Sequence, residues 1–415
     1  MATTAPPLDP AELFGPAPAG AKGAIMKLAM AAMPYGFRLA RRFKPFMSLG
    51  GAVVPTRYDD VREVFETDTS FGVPYKPELD VIMGGQPFFL GMGDTEQYRA
   101  DTGAMRKVVR IDDVKARIAP AVEAQAEQIV RDSGGRVEVV DQLTRRVTFD
   151  RLGEYFGVTD PPGGDLRIWG TQLFRFQFAE SGNPELRKIV NDIAPRLRDH
   201  IQSLIEARRA AGTGPDDVLG RCIQMQAKGE LGFTDDQIRT ALMGFVVGGP
   251  PQPPMVVPQA LEQLLRRPDQ LANAQAAARA DDDEALSRYF FEALRFDPIA
   301  PRMERIALKD SVIAAGTPRE QHVKAGTKVW ATMGSAMRDG RRLPDAERFE
   351  PNRLPYEYMH FGHGLHTCFG IHINKGTLHL MVKPLLKRNL RRARGKAGHL
   401  QKQGPFAVSL WVEYD

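Results

Sequence analysis

The sequence predicts a mainly α-helical protein carrying a few small β-sheets. Three observations carry that expectation. The run Pro184 to Ala211 is long and amphipathic, and a proline stands at its start, where a helix needs no N–H donor. Apolar residues recur at helical spacing through most of residues 111–295. Strand-like stretches are short and scattered, at 51–57, 305–314, 327–333 and 406–413. No internal repeat or low-complexity linker divides the 415 residues. Residues 1–46 are therefore assigned as an N-terminal segment and first helix of the same domain, and residues 47–415 as one large domain.

Taken in order, Gly51 to Arg57 reads as a strand and Asp59 to Thr67 as a helix across a turn. From Ile111 to about Lys228 the pattern is helical, with breaks at Asp160-Pro-Pro-Gly-Gly and Ser181-Gly-Asn-Pro. Thr234 to Gln237 has the form of a capping box, and an apolar helix follows to about Gly249. Helices are expected at Pro268 to Ala280 and Asp282 to Arg295. Strands are expected at Arg305 to Ala314, Thr327 to Met333 and Phe406 to Glu413, and a helix-like run from Ile371 to Leu386. Arg391 to Lys396 reads as a loop.

A hydrophobic content of 43% supplies a large core. The net charge of +5 is diffuse and gives no argument for nucleic acid. Two cysteines, Cys222 and Cys368, exclude a disulfide framework and favour a reducing cytoplasm. Met1 to Gly20 is rich in Pro and Ala and lacks the basic region of a signal peptide. Ala24 to Phe43 is too short and too charged to span a bilayer. It reads as a helix packed on the domain, with a peripheral amphipathic contact as the alternative. A monomer without a transmembrane segment is expected.

The most informative stretch is Phe361-Gly-His-Gly-Leu-His-Thr-Cys-Phe-Gly370. It sets one cysteine in a glycine-rich loop directly before a helix-like run. A thiol at a helix N-terminus, with glycines that permit close approach, suits a thiolate ligand. A buried structural cysteine is one alternative. A zinc site built from His360, His363, His366 and Cys368 is another. Upstream, Glu292 and Arg295 lie three apart on one helix face and can pair.

The order Phe-x-x-Gly-x-His-x-Cys-x-Gly resembles the haem-binding signature of the cytochromes P450, and the resemblance runs from about Met47 to the C-terminus. It implies the cytochrome P450 fold and haem b. It implies Cys368 as axial iron ligand, whose thiolate favours O–O cleavage. By the same resemblance Phe361 shields the sulfur, Gly364 forms a tight turn, His366 contacts a propionate, and Gly370 leaves room for the porphyrin. Glu292, Arg295 and Arg353 match a structural Glu-Arg-Arg network, and Arg305 a propionate-binding arginine. The family's usual histidine upstream is missing; Tyr98, Arg99 and Arg106 stand in that segment as candidates for haem contact.

Most P450 monooxygenases carry an acid–alcohol pair above the haem, which relays two protons to bound dioxygen. Here the corresponding run is Gly248-Gly-Pro-Pro-Gln-Pro-Pro254. Pro251 falls at the acid position and Gln252 at the alcohol position, and neither titrates. The prolines at 250, 251, 253, 254 and 258 are expected to forbid a regular helix. Relatives lacking the alcohol include users of hydrogen peroxide and rearrangers of organic hydroperoxides. Gly249, Pro251 and Gln252 are therefore the expected catalytic segment, with Gln252 steering a peroxide oxygen; the alternative is a kink that only shapes the pocket, with water as the proton relay. Arg175, among Phe174, Phe176 and Phe178, is a candidate partner for a fatty-acid carboxylate, or an ordinary surface arginine.

The substrate is expected to be an apolar small molecule or lipid. Met105 to Arg110 and Lys375 to Lys387 could meet an acidic ferredoxin-type partner, or form solvated helix faces. A conventional oxygen-dependent monooxygenase and a non-catalytic haem-binding protein are the alternative functions.

Overall fold

The computed structural model describes residues 7–16, 32–33 and 35–415. Part of the Ala24 to Phe43 reading, and most of the Met1 to Gly20 reading, lie outside the described residues. Two apolar clusters make the core. The larger gathers the helices and includes Val190, Leu197, Ile201, Leu242, Val257 and Phe290. The smaller lies under the main sheet, where Val61, Val64 and Phe65 meet Phe71, Val329 and Ala331. Among the described residues, no helix is long and apolar enough to cross a membrane.

The fold is mainly helical with small sheets, as the sequence predicts. The helix Pro184–Ala211 has the expected bounds. Its buried residues Leu186, Val190, Ile193, Leu197, Ile201 and Ile205 recur every three or four positions, and Asn183 caps its start. The capping box is formed: Gln237 N donates to Thr234 Oγ1 at 3.3 Å, and Thr234 N donates to Gln237 Oε1 at 3.1 Å. The helix it opens covers Asp235–Gly248.

The main sheet has five strands, in the order Phe46–Leu49, Ala52–Pro55, Lys328–Ala331, Met303–Ala307, Phe71–Gly72. Its first hairpin turns through Gly50 and Gly51, at φ 57° and 81°. A turn with both central residues at positive φ matches the twist of paired strands and favours glycine.

Several expectations need correction. The stretch 305–314 is two strands, Met303–Ala307 and Ser311–Ile313, which pair in different sheets. The stretch 406–413 likewise splits into Phe406–Ser409 and Trp411–Glu413. The run 371–386 is broken into Ile371–Thr377, a short turn and Lys383–Leu386, with Pro384 at the second position of the last piece. Arg391–Arg392 pairs with Val412 and Glu413 rather than forming a free loop.

The proline run disrupts less chain than expected. The helix stops at Gly248 and resumes at Pro253–Leu265. Pro253 and Pro254 occupy its first turn, where backbone donors have no partner to lose. Pro258 is tolerated one turn further on. The disruption is confined to residues 249–252.

Near the N-terminus, Asp9 caps the short helix Pro10–Phe14. Its Leu13 and Phe14 are buried with Phe174, Met255 and Phe406.

Candidate active site

The cysteine loop is held mostly by backbone contacts. Cys368 N donates to Phe361 O at 2.9 Å and Thr367 N to Gly364 O at 3.1 Å. Tyr98 Oη donates to Leu365 O at 2.6 Å. Gly364 sits at φ 71°, and a Cβ there would lie 2.3 Å from Phe65 O. Both the dihedral and the close approach therefore require glycine. Burial pushes the Cys368 thiol up, while the Gly370 backbone and the Asn374 side chain pull the other way. Ionising this thiol calls for a positive centre beside it.

Behind the loop lies a buried ionic cluster. Glu292 and Arg295 are both fully buried and meet in a two-pronged pair, Nη2–Oε1 at 2.6 Å and Nε–Oε2 at 2.8 Å. Arg353 Nε is 3.6 Å from Glu292 Oε1, so the three predicted residues come together. Arg295 also donates to Met337 O, Ala346 O and Arg348 O. Arg353 donates to Pro344 O and Asp345 O. Sequence reasoning missed Tyr358, whose hydroxyl donates to Glu292 Oε2 at 2.9 Å. It is the link from the cluster to the start of the loop, and no spacing in the sequence announces it. The adjacent His360 is hydrogen-bonded to Phe291 O at 2.9 Å, one residue before Glu292.

Burial holds His360 and His379 down from 6.5 to about 4. Their folded values are depressed, so the unfolded chain binds more protons between pH 6.5 and 4. Stability is full above about pH 6.5 and falls as pH drops through that window, by about 1.4 kcal/mol per pH unit for each proton. We expect the urea midpoint to drop between pH 7 and pH 5 and to stay level from pH 7 to pH 8. A midpoint flat down to pH 5 would show that neither histidine is buried neutral.

A cavity of about 2160 Å³ opens in front of Cys368. It is lined by Phe361, His366, Phe369, Gly370, Tyr98, Arg106 and Arg305, and by Phe245, Gly248, Gly249 and Gln252, with the Phe245 and Phe369 rings stacked at 5.4 Å. A typical small-molecule site holds roughly 300–1,000 Å³, so this one has room for a macrocycle and a substrate together. The residues fit haem b. Gly370 leaves the space beside the sulfur open: a Cβ there would find its nearest neighbours at 3.6 and 4.0 Å. Arg305 is buried, its Nη1 donates to Glu304 O at 3.0 Å, and its Nε has no partner. An orphaned guanidinium N–H of this kind fits a carboxylate. Burial and then Arg305 bring His366 down to about 4, while a backbone hydrogen bond at Met92 pulls the other way. Tyr98 packs edge-on against His366 at 5.5 Å, and Arg106 lies 5.0 Å from the Phe369 ring. Arg99 is turned outward to Asp94 at 2.6 Å and does not line the cavity.

At the helix break, Gln252 Nε2 donates to Gly248 O, a carbonyl freed where the helix stops. Gly249 lines the cavity, and a Cβ on it would lie 2.8 Å from Phe245 O. Pro251, expected beside them, is buried and is not among the lining residues. The lining residues from 244 to 256 are Gly244, Phe245, Gly248, Gly249, Gln252, Pro253, Met255 and Val256, with no acid or hydroxyl among them. Glu262, the next acid along, lines the same cavity more than two turns beyond Gln252. Burial raises its pKa, but ion pairs with Arg392 and Arg266 outweigh that and hold it below the usual range.

Arg175 is buried and committed. It pairs with Glu180 at 2.7 Å and donates to Leu13 O at 2.8 Å, so it is neither a free anchor nor a surface arginine. Of the basic run Lys375 to Lys387, Lys383 is buried among Glu123, Asp281 and Asp283, and Lys387 pairs with Asp281. Lys107 pairs with Glu230 at 2.6 Å. Arg106, Arg110 and Lys375 remain exposed on these segments.

The family profile described as Cytochrome P450 matches residues 168–390, more than half of the chain. The chain is 24% identical over 280 residues to the cytochrome P450 monooxygenase PikC of Streptomyces venezuelae, a match covering 67% of this chain and 62% of that relative. The matched stretch thus spans less than two thirds of PikC. The chain is also 35% identical over 135 residues to the Psi-producing oxygenase A of Emericella nidulans, covering 32% of this chain and 12% of that protein. Among solved structures, the ligand-free cytochrome P450 TbtJ1 superposes with a TM-score of 0.77 at 22% identity, over 93% of this chain and 98% of the other.

Proposed function

The chain belongs to the cytochrome P450 family, and from that premise we propose a haem-thiolate oxidoreductase that oxidises a lipophilic organic substrate with a peroxide or lipid hydroperoxide. Haem b, the family's cofactor, supplies oxygen-transfer chemistry when bound. Cys368 would hold its iron, while Arg305 and His366 would hold its carboxylates.

The observation that carries the choice of oxidant is the wall at 244–256, which offers no ionisable or hydroxyl side chain. Hydroxylation with dioxygen consumes two electrons and two protons besides the substrate, and releases water. A general acid or an ordered relay must deliver those protons at the bound oxygen. Hydrogen peroxide carries both electrons and both protons already, so R–H and H2O2 give R–OH and H2O with no reductase. Gln252 suits that task. One amide N–H is spent on Gly248 O, and the second, with the carbonyl, can orient a peroxide oxygen. The apolar wall of Phe245, Phe369 and Phe89, with ring centroids 5.4 Å apart, supports a lipophilic substrate. Ion pairing leaves little of the basic Lys375 to Lys387 run for an acidic ferredoxin.

Turnover of a fatty-acid and fatty-acid-hydroperoxide panel, with and without reductase, tests the reading. Product with peroxide or hydroperoxide alone is the expected result. Turnover only with reductase would identify a conventional monooxygenase, and none with any oxidant a non-catalytic haem protein.

A further inference from the structure

The helix at 35–43 presents two contrasting faces. Tyr35, Leu39 and Phe43 recur every fourth residue and are 73%, 61% and 73% exposed. Residues four apart share a helix face, so these three form one continuous apolar stripe. Leu49, 46% exposed, adds to it from the neighbouring strand. The opposite face is anchored: Ala40 is buried, and Arg41 donates to Ser335 O at 3.2 Å and Ser335 Oγ at 2.9 Å. The stripe is therefore held outward by a fixed helix.

Cationic groups border it. Arg38 and Arg42 fall beside the stripe on the helix surface, and Arg42 lies 5.3 Å from the Phe43 ring. Neither has a carboxylate partner among the described residues. Both open onto a cleft of about 660 Å³ that also holds Arg41, Arg338, Arg341 and Arg348, six arginines against the three carboxylates Asp339, Asp345 and Glu347. Asp339 is spent on Arg341 at 3.2 Å and on Tyr58 N at 3.1 Å, and Glu347 on Arg338 at 3.4 Å. The border is left net positive.

The same segment also reaches the active-site cavity. Met33, Gly36, Phe37, Met47 and Leu49 all line it. An apolar stripe with an arginine border, set at the mouth of an apolar cavity, has the chemistry of an interfacial helix. We propose that this face docks on an anionic phospholipid bilayer, with Tyr35, Leu39 and Phe43 in the headgroup region and Arg38 and Arg42 on lipid phosphates. The docking stands on the exposed stripe. Its consequence, that substrate enters from the bilayer, rests on the lipophilic-substrate reading above.

The test is co-sedimentation of the full-length haem-loaded protein with vesicles, which reads docking without turnover. Vesicles are phosphatidylcholine alone or mixed with phosphatidylglycerol, at low and high salt. The wild type should partition to the anionic vesicles, and salt should release it. Leu39→Glu with Phe43→Glu should weaken binding about tenfold or more, since two apolar anchors become charges. Arg38→Gln with Arg42→Gln should cost about fivefold per arginine on anionic vesicles only. Melting curves of both variants should match the wild type, because all four side chains are exposed. Three results would overturn the proposal: a wild type that stays in the supernatant at low salt, an apolar variant that binds undiminished, or a wild-type dimer that the apolar variant turns into a monomer.

Discussion

Replacing Cys368 with alanine is expected to abolish the thiolate signature and activity while leaving the chain folded. The loop does not depend on the sulfur for its shape. Its bonds run through the Cys368 backbone N–H, the Gly364 carbonyl and the Tyr98 hydroxyl, and all three survive the substitution. No other thiol can take over. Cys222 is fully buried, with its thiol pushed up to about 12 by burial, and it does not line the cavity. The reduced carbon monoxide complex of the wild type should show the red-shifted Soret band of a thiolate ligand. The variant should lose that band, and product formation should fall by about a thousandfold or more, the scale of losing an essential catalytic group. A histidine-type spectrum in the wild type would refute the assignment.

Glu292→Ala is expected to give poorly folded, haem-poor protein. Glu292 accepts from Arg295, Tyr358 Oη and Glu350 N in a site closed to water. Its removal leaves the Arg295 charge buried without a counter-charge, a loss of about 3–5 kcal/mol. It also releases Tyr358, and with it the segment entering the cysteine loop. The urea midpoint and haem content should fall together. Arg295→Lys keeps a charge but not the two-pronged geometry, so it should fall between the wild type and Glu292→Ala. Full haem occupancy and unchanged melting in Glu292→Ala would show that the cluster does not hold the loop.

Much of this could be read from the sequence, for reasons that are local. Thr234 and Gln237 interact across one turn, so their pattern alone specifies the capping box. The stripe from Leu186 to Ile205 fixes its helix in the same way. The cysteine loop was legible because glycine at a tight turn and a thiol before a helix are both chemically restrictive. What escaped depends on distant partners. Tyr358 and Asn374 matter because of what they meet, Glu292 and Cys368, and neither residue type signals that by itself. Arg175 and Lys383 looked exposed by type, yet each is buried against carboxylates supplied by its surroundings. Strands of two to four residues, such as Phe71–Gly72 and Arg391–Arg392, are too short to display an alternation. The extent of the helix break followed from where Pro253 and Pro254 landed, at a helix start, which composition could not say.

The most direct test of the central claim is the product formed per electron consumed by the wild type. NADPH oxidation through a surrogate ferredoxin system is measured against product, beside parallel reactions driven by hydrogen peroxide or a lipid hydroperoxide. The account predicts loose coupling with the reductase and efficient product formation with the peroxides, and it predicts that Gln252→Ala lowers the latter. Tight coupling through the reductase, with no product from any peroxide, would contradict it.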